Sequence, residues 1–180
     1  VCNISKKIGY LFQNPDNQIC MDTVFREISV GLHKSDYSME IRERLINQAL
    51  ITVDLAGYEN RDPNTLSRGE RQRLAVASLL AKDPHMLLLD EPTTGQDYDR
   101  LCALMTQISS LNGKGTTILM VTHDLHLATS FSDRILFMKQ GKIAYEFSRP
   151  YPSIEDLYSH FFEISSDLPF SDSYPPLIAL

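Results

Sequence analysis

The sequence predicts an α/β fold built on a parallel sheet, and three stretches predict it. In the first, Leu66-Ser67-Arg68-Gly69-Glu70, a serine followed three residues later by glutamate forms a capping box. A helix therefore starts at Ser67 and runs through the apolar positions Leu74, Val76, Ala77 and Leu80 until Asp83-Pro84 stops it. In the second, Met86 to Leu89 is a short continuous apolar run, as in a strand buried on both faces of a parallel sheet, with Asp90 and Glu91 at its carboxyl end. In the third, Thr116 to Val121 is apolar and β-branched, and it delivers Thr122-His123-Asp124 at a carboxyl end beside the acidic one. Open α/β sheets bind ligands at those ends, and helix starts attract anions. A hard cation and a polarised water need one carboxylate each, which Asp90 and Glu91 supply.

The remaining elements follow in chain order. Lys7 to Phe12 reads as a strand that ends at Gln13, and Asn14-Pro15-Asp16-Asn17-Gln18 is a polar, turn-rich loop. From Ser38 to about Ala56 the apolar residues Ile41, Leu45, Ala49 and Val53 recur at helical spacing, with Gly57 as the expected stop and Arg61 to Asn64 as a turn. Leu101, Leu104, Met105, Ile108 and Leu111 mark another amphipathic helix, ended by Asn112-Gly113. Arg134 to Met138 and Lys142 to Phe147 form a hairpin around Gln140-Gly141. Beyond it, five prolines and many serines predict a loop-like tail around one short helix near Ile154 to Phe162.

With 180 residues, 43% of them hydrophobic, the chain is one domain or most of one and buries a core. Its 17 basic and 23 acidic side chains give a net charge of −6, without the basic excess that nucleic-acid binding uses, so no nucleic-acid partner is expected. Cys2, Cys20 and Cys102 are odd in number and lack CxxC spacing, which predicts reduced thiols rather than a disulfide or zinc framework. His123 and His126 sit at i, i+3 with no carboxylate placed as a third zinc ligand. The longest apolar runs are strand-sized, so membrane association is expected only through a partner.

Taken in order, these residues resemble the ABC ATPases. Leu66 to Glu70 is similar to their LSGGQ signature, Leu87 to Glu91 to their Walker B strand, Asp97 in Thr93-Thr94-Gly95-Gln96-Asp97 to their D-loop aspartate, Gln13 to their Q-loop glutamine and His123 to their H-loop histidine. The resemblance covers residues 7 to about 147 and implies a P-loop NTPase-type parallel sheet with an inserted helical subdomain at about 30 to 80 and a tail at about 148 to 180. It implies ATP and Mg²⁺ as ligands, with Asp90 and Gln13 at the metal and Glu91 as general base. His123 and Gln13 would position water and phosphate. Ser67, Arg68, Gly69, Glu70 and Asp97 would serve the nucleotide at a dimer interface. Gln13 to Gln18, followed by Thr23 to Leu32, looks most like the energy-coupling-factor and cobalt-type importers. That implies a second ATPase subunit, identical or different, transmembrane importer subunits and a peripheral place on the cytoplasmic face of the membrane. Arg68 and Glu70 depart from the usual glycine and glutamine. A charge ~8 Å from phosphate at an effective dielectric of ~20 is worth roughly 2 kcal/mol, and these two have opposite signs.

The phosphate loop GxxxxGK[ST] is not in the sequence. Gly113-Lys114-Gly115-Thr116-Thr117 does not supply it, since position 108 is isoleucine. In the family that loop lies upstream of the Q-loop, so the resemblance implies an amino-terminally truncated domain, inactive alone, with an unpaired strand edge where a central strand is missing. Two rivals stand beside the importer: a soluble ABC ATPase of DNA repair or translation, which the uninterrupted helical segment and the Gln13 to Gln18 loop disfavour, and a non-catalytic fragment supplying only the signature half-site.

Overall fold

The computed structural model describes residues 7–32, 37–92, 98–165 and 177–180, which form two compact units, one ending at Thr117 and one beginning at Ile118. Six strands lie among the described residues, interspersed with helices, in the mixed α/β arrangement the sequence predicts.

In the first unit, β1 (Ile8–Leu11) and β2 (Met86–Asp90) pair in parallel, with Ile8 opposite Met86 and Leu11 opposite Leu89. Leu87 and Leu89 are fully buried while Met86 and Leu88 are half-buried, so β2 alternates where a two-sided burial was expected. Gly9 is required by close approach, because a Cβ there would meet Leu87 Cδ2 at 2.8 Å. The helices are α1 (Val24–Ser29), α2 (Met39–Thr52), α3 (Arg68–Leu80) and α4 (Tyr98–Asn112). Every residue of α3 from Gln72 to Leu79 is buried, so this helix is the centre of the unit, packed on α1, α2 and β1. Ile28, Ile46, Leu50 and Leu74 join it in the core.

Helix α2 stops earlier than Gly57. Asp54 takes a left-handed backbone at φ 56°, Leu55 N–H donates to the Leu50 carbonyl at 2.9 Å and Asp54 N–H to that of Ile51 at 3.2 Å. That is a Schellman ending with aspartate in the position glycine usually takes, and it buries Leu55. Helix α1, six residues long, has no periodic signal of its own. It is held by Thr23 as N-cap and by the buried Glu27 carboxylate, which accepts the N–H groups of Cys20 and Met21 at 2.9 Å each.

The second unit contains β3 (Thr117–Thr122), α5 (Leu125–Phe131), β4 (Arg134–Lys139), β5 (Lys142–Ser148), α6 (Ile154–Ser165) and β6 (Leu177–Ala179). β4 and β5 form the expected hairpin, with positive φ at both Gln140 and Gly141 as a two-residue turn of this twist requires. β6 is the surprise. It lies between β3 and β4, antiparallel to both, with Leu177 opposite Thr122 and Phe137, and Ala179 opposite Met120 and Ile135. Leu180 extends the ladder through two backbone bonds with Arg134, at 2.8 and 3.0 Å. The sheet is therefore mixed. Three residues are too few to show an alternation, so a proline-rich tail hid this strand.

Candidate functional site

The helix start is built as the capping box requires. Ser67 has extended backbone, its Oγ accepts the Glu70 N–H at 3.3 Å, and the Glu70 carboxylate accepts the Ser67 N–H at 2.7 Å. Hydrogen bonds from the Ser67 backbone and then its hydroxyl hold the Glu70 carboxyl below its ordinary value. Glu70 thus spends its charge on the helix end, where glutamine would make the same bond without it, while Arg68 stands exposed at the first helical position.

The loop after β1 is fastened to this helix. Asn14 caps a short 3-10 turn, Pro15–Asn17, by accepting the Asp16 N–H at 3.1 Å. Gln18 closes the loop, accepting from Phe12 N–H at 3.4 Å and donating to the Ala75 carbonyl at 3.2 Å and Ser78 Oγ at 3.4 Å. Asp16 and Arg71 form an ion pair at 2.7 Å. Gln13 itself is exposed at the end of β1. The bonding of Gln18, five residues further on, had no signal in spacing.

At the end of β2, parallel pairing sets Tyr10 beside Leu88, and its hydroxyl reaches along the strand to donate to Asp90 Oδ2 at 3.0 Å. That bond, followed by burial and the charge of Asp90, raises the Tyr10 pKa. Tyr10 is the site residue that sequence reasoning missed, although its place two residues before Phe12 on a strand next to the acidic end was the available clue. Its ring packs edge-on against Phe12 at 4.7 Å. Glu91 has a left-handed backbone at φ 47°. For a residue with a Cβ this conformation costs on the order of 1 kcal/mol, and such outliers cluster where a side chain must be aimed. Among the described residues no three His, Cys, Asp or Glu side chains gather as a metal site. The donor set fits Mg²⁺ all the same, because that ion takes one or two carboxylates and completes its shell with water and phosphate oxygens.

In the second unit, His123 sits exposed between the end of β3 and the start of α5. The cap of α5 is Asp124, whose carboxylate accepts the Leu127 N–H at 3.0 Å. Asp124 N–H in turn donates to Thr122 Oγ1 at 3.1 Å. Asp97 lies outside the described residues. In the first unit the structure brings together the Gln13 to Gln18 loop and the Ser67 to Glu70 helix, and joins Asp90 to β1 through Tyr10.

Comparison with known proteins gives this arrangement a setting. The sequence profile of the ABC transporter family matches residues 1–94. A putative ABC transporter ATP-binding protein of Methanosarcina acetivorans is 49% identical over 140 residues, covering 78% of this chain and 23% of that protein. An energy-coupling factor transporter ATP-binding protein of Methanospirillum hungatei is 43% identical over 140 residues, covering 78% of this chain and 35% of its own length. Among solved structures, a dimeric ATP-binding cassette in a post-hydrolysis state, bound to ADP and Pi, aligns with a TM-score of 0.73 at 32% identity, over 80% of this chain and 63% of that one. The chain spans between 23% and 56% of the length of such curated relatives.

Proposed function

Since the chain belongs to the ABC transporter family, we propose that it is part of an ATPase subunit that powers an ABC-type importer of the energy-coupling-factor kind. The observation that carries this reading is one unit holding three parts in order: a Gln13 to Gln18 loop fastened to a helix, that helix's capped Ser67 start, and a parallel strand ending in Asp90-Glu91. The importer subtype rests on the wording of that loop and on the energy-coupling factor relative.

In this reading Asp90 and Gln13 would hold Mg²⁺, which would neutralise phosphate charge, and Tyr10 orients the Asp90 carboxylate. Glu91 takes a proton from water as the water oxygen attacks the γ-phosphorus in line, the bond to the β–γ bridging oxygen breaks, and ADP leaves with that oxygen's electron pair. His123, as a neutral imidazole, donates a hydrogen bond to that phosphate, and Gln13 orients the water. Ser67, Arg68, Gly69 and Glu70 face the ATP of a second ATPase subunit, with Asp97 in the same interface. The helical segment at about 30 to 80 is the family's inserted subdomain, and the Gln13 to Gln18 loop meets transmembrane subunits, so the protein sits peripherally on the cytoplasmic face of the membrane. No described helix is long and apolar enough to cross one.

Affinity capture of the chain extended upstream through a GxxxxGK[ST] segment, from detergent-solubilised membranes, tests this. Integral membrane proteins are expected to copurify in stoichiometric amount. Copurification with ribosomes or DNA instead would contradict the importer reading.

A further inference from the structure

Arg71 makes two contacts that join separate parts of the first unit. Its Nε donates to Asp16 Oδ1 at 2.7 Å, and its Nη1 donates to the carbonyl of Leu66, the residue just before the Ser67 cap. One rigid guanidinium fork therefore holds the loop at Asp16 and the helix start at Leu66, 50 residues apart by number. The Arg71 side chain is 22% exposed and the Asp16 side chain 55% exposed, too open for their pairing to matter much to stability. What the geometry adds is registration. Gln18 supplies a second tie one and two turns further along α3, at Ala75 and Ser78. With both ties made, the 14–18 loop cannot shift along α3 without moving the Leu66 carbonyl and hence the Ser67 to Glu70 turn.

We infer that Arg71 is a positioning residue that links the 14–18 loop to the Ser67 helix start, so that a protein docked on the loop resets the end of α3 that faces the second subunit's nucleotide. The functional half of this rests on the reading proposed above, while the mechanical half stands on the contacts alone. Asp16 passes the displacement, Arg71 carries it and the Leu66 carbonyl receives it.

The test has two arms. In the 180-residue chain, amide hydrogen exchange at Glu70 and Arg71 is followed in Asp16→Asn, Arg71→Gln and the double variant. Each single change is expected to speed exchange at least threefold and the double no more than Arg71→Gln alone, because Asp16 acts only through Arg71. Asp16→Glu should stay within twofold of the parent. Asp22→Asn, which weakens the exposed pair between Asp22 and Arg26 of α1, should change nothing at Glu70. Unaltered exchange in Asp16→Asn, or additive effects in the double variant, would overturn the link. In the chain extended through a GxxxxGK[ST] segment, Asp16→Asn should leave ATP affinity within twofold and weaken ATP-driven pairing about tenfold. A positive first arm with unchanged pairing would overturn the functional half. Absence of ATP binding by the extended parent would instead count against the ATPase reading and leave the link intact.

Discussion

Glu91→Gln, introduced into the chain extended upstream through a GxxxxGK[ST] segment, should lower ATP turnover by about 10² to 10⁴-fold while ATP binding and ATP-induced pairing persist. Glutamine keeps the shape and one oxygen of glutamate, and it tolerates the φ of 47° at this position about as well, so the local backbone is preserved. Only the capacity to accept a proton from water is lost. Asp90, one residue earlier on β2 and hydrogen-bonded by Tyr10, gives the contrast. Asp90→Asn should weaken Mg²⁺-dependent nucleotide binding as well as turnover. Single-turnover hydrolysis alongside equilibrium binding separates the two, and loss of ATP binding in Glu91→Gln would contradict its assignment as base.

Leu177→Ala should strongly destabilise the second unit. Leu177 is fully buried, and its strand pairs with both β3 and β4. Removing a buried leucine costs about 2–5 kcal/mol, against a total of about 5–15 kcal/mol for a domain. Ile178, on the same strand but half-buried, should cost clearly less on truncation. The chain has no tryptophan, and three of its eight tyrosines, Tyr145, Tyr151 and Tyr158, are described residues of this unit, so their fluorescence contributes to the signal that follows urea unfolding. Equal, small losses at both positions would show that residues 177–179 do not lie between those strands.

The sequence reveals the parts with repetition or a complete local code. Leu66 to Glu70 carries its own helix start, and Met86 to Asp90 its own strand, because capping boxes and uninterrupted apolar runs are local events. Gln140-Gly141 likewise dictates its turn. What was hidden depends on partners far along the chain. β6 exists only because β3 and β4 accept it, Tyr10 matters only because parallel register brings it within 3.0 Å of Asp90, and Arg71 and Gln18 act only through α3 and the loop meeting. The end of α2 was misplaced for a third reason. Asp54 pays the left-handed cost that glycine avoids, so composition pointed three residues too far, to Gly57.

The central claim is that this chain carries the catalytic strand end and the partner-facing helix of an ABC ATPase, and that its own nucleotide is held by a phosphate loop not among these residues. Calorimetric titration with ATP and Mg²⁺ tests it most directly, first on the 180-residue chain and then on the same chain extended upstream through a GxxxxGK[ST] segment. The account predicts no measurable heat of binding for the first and micromolar affinity for the second. Micromolar binding by the 180-residue chain would contradict it, because the Ser67 helix start and the Asp90-Glu91 strand end would then suffice without the loop.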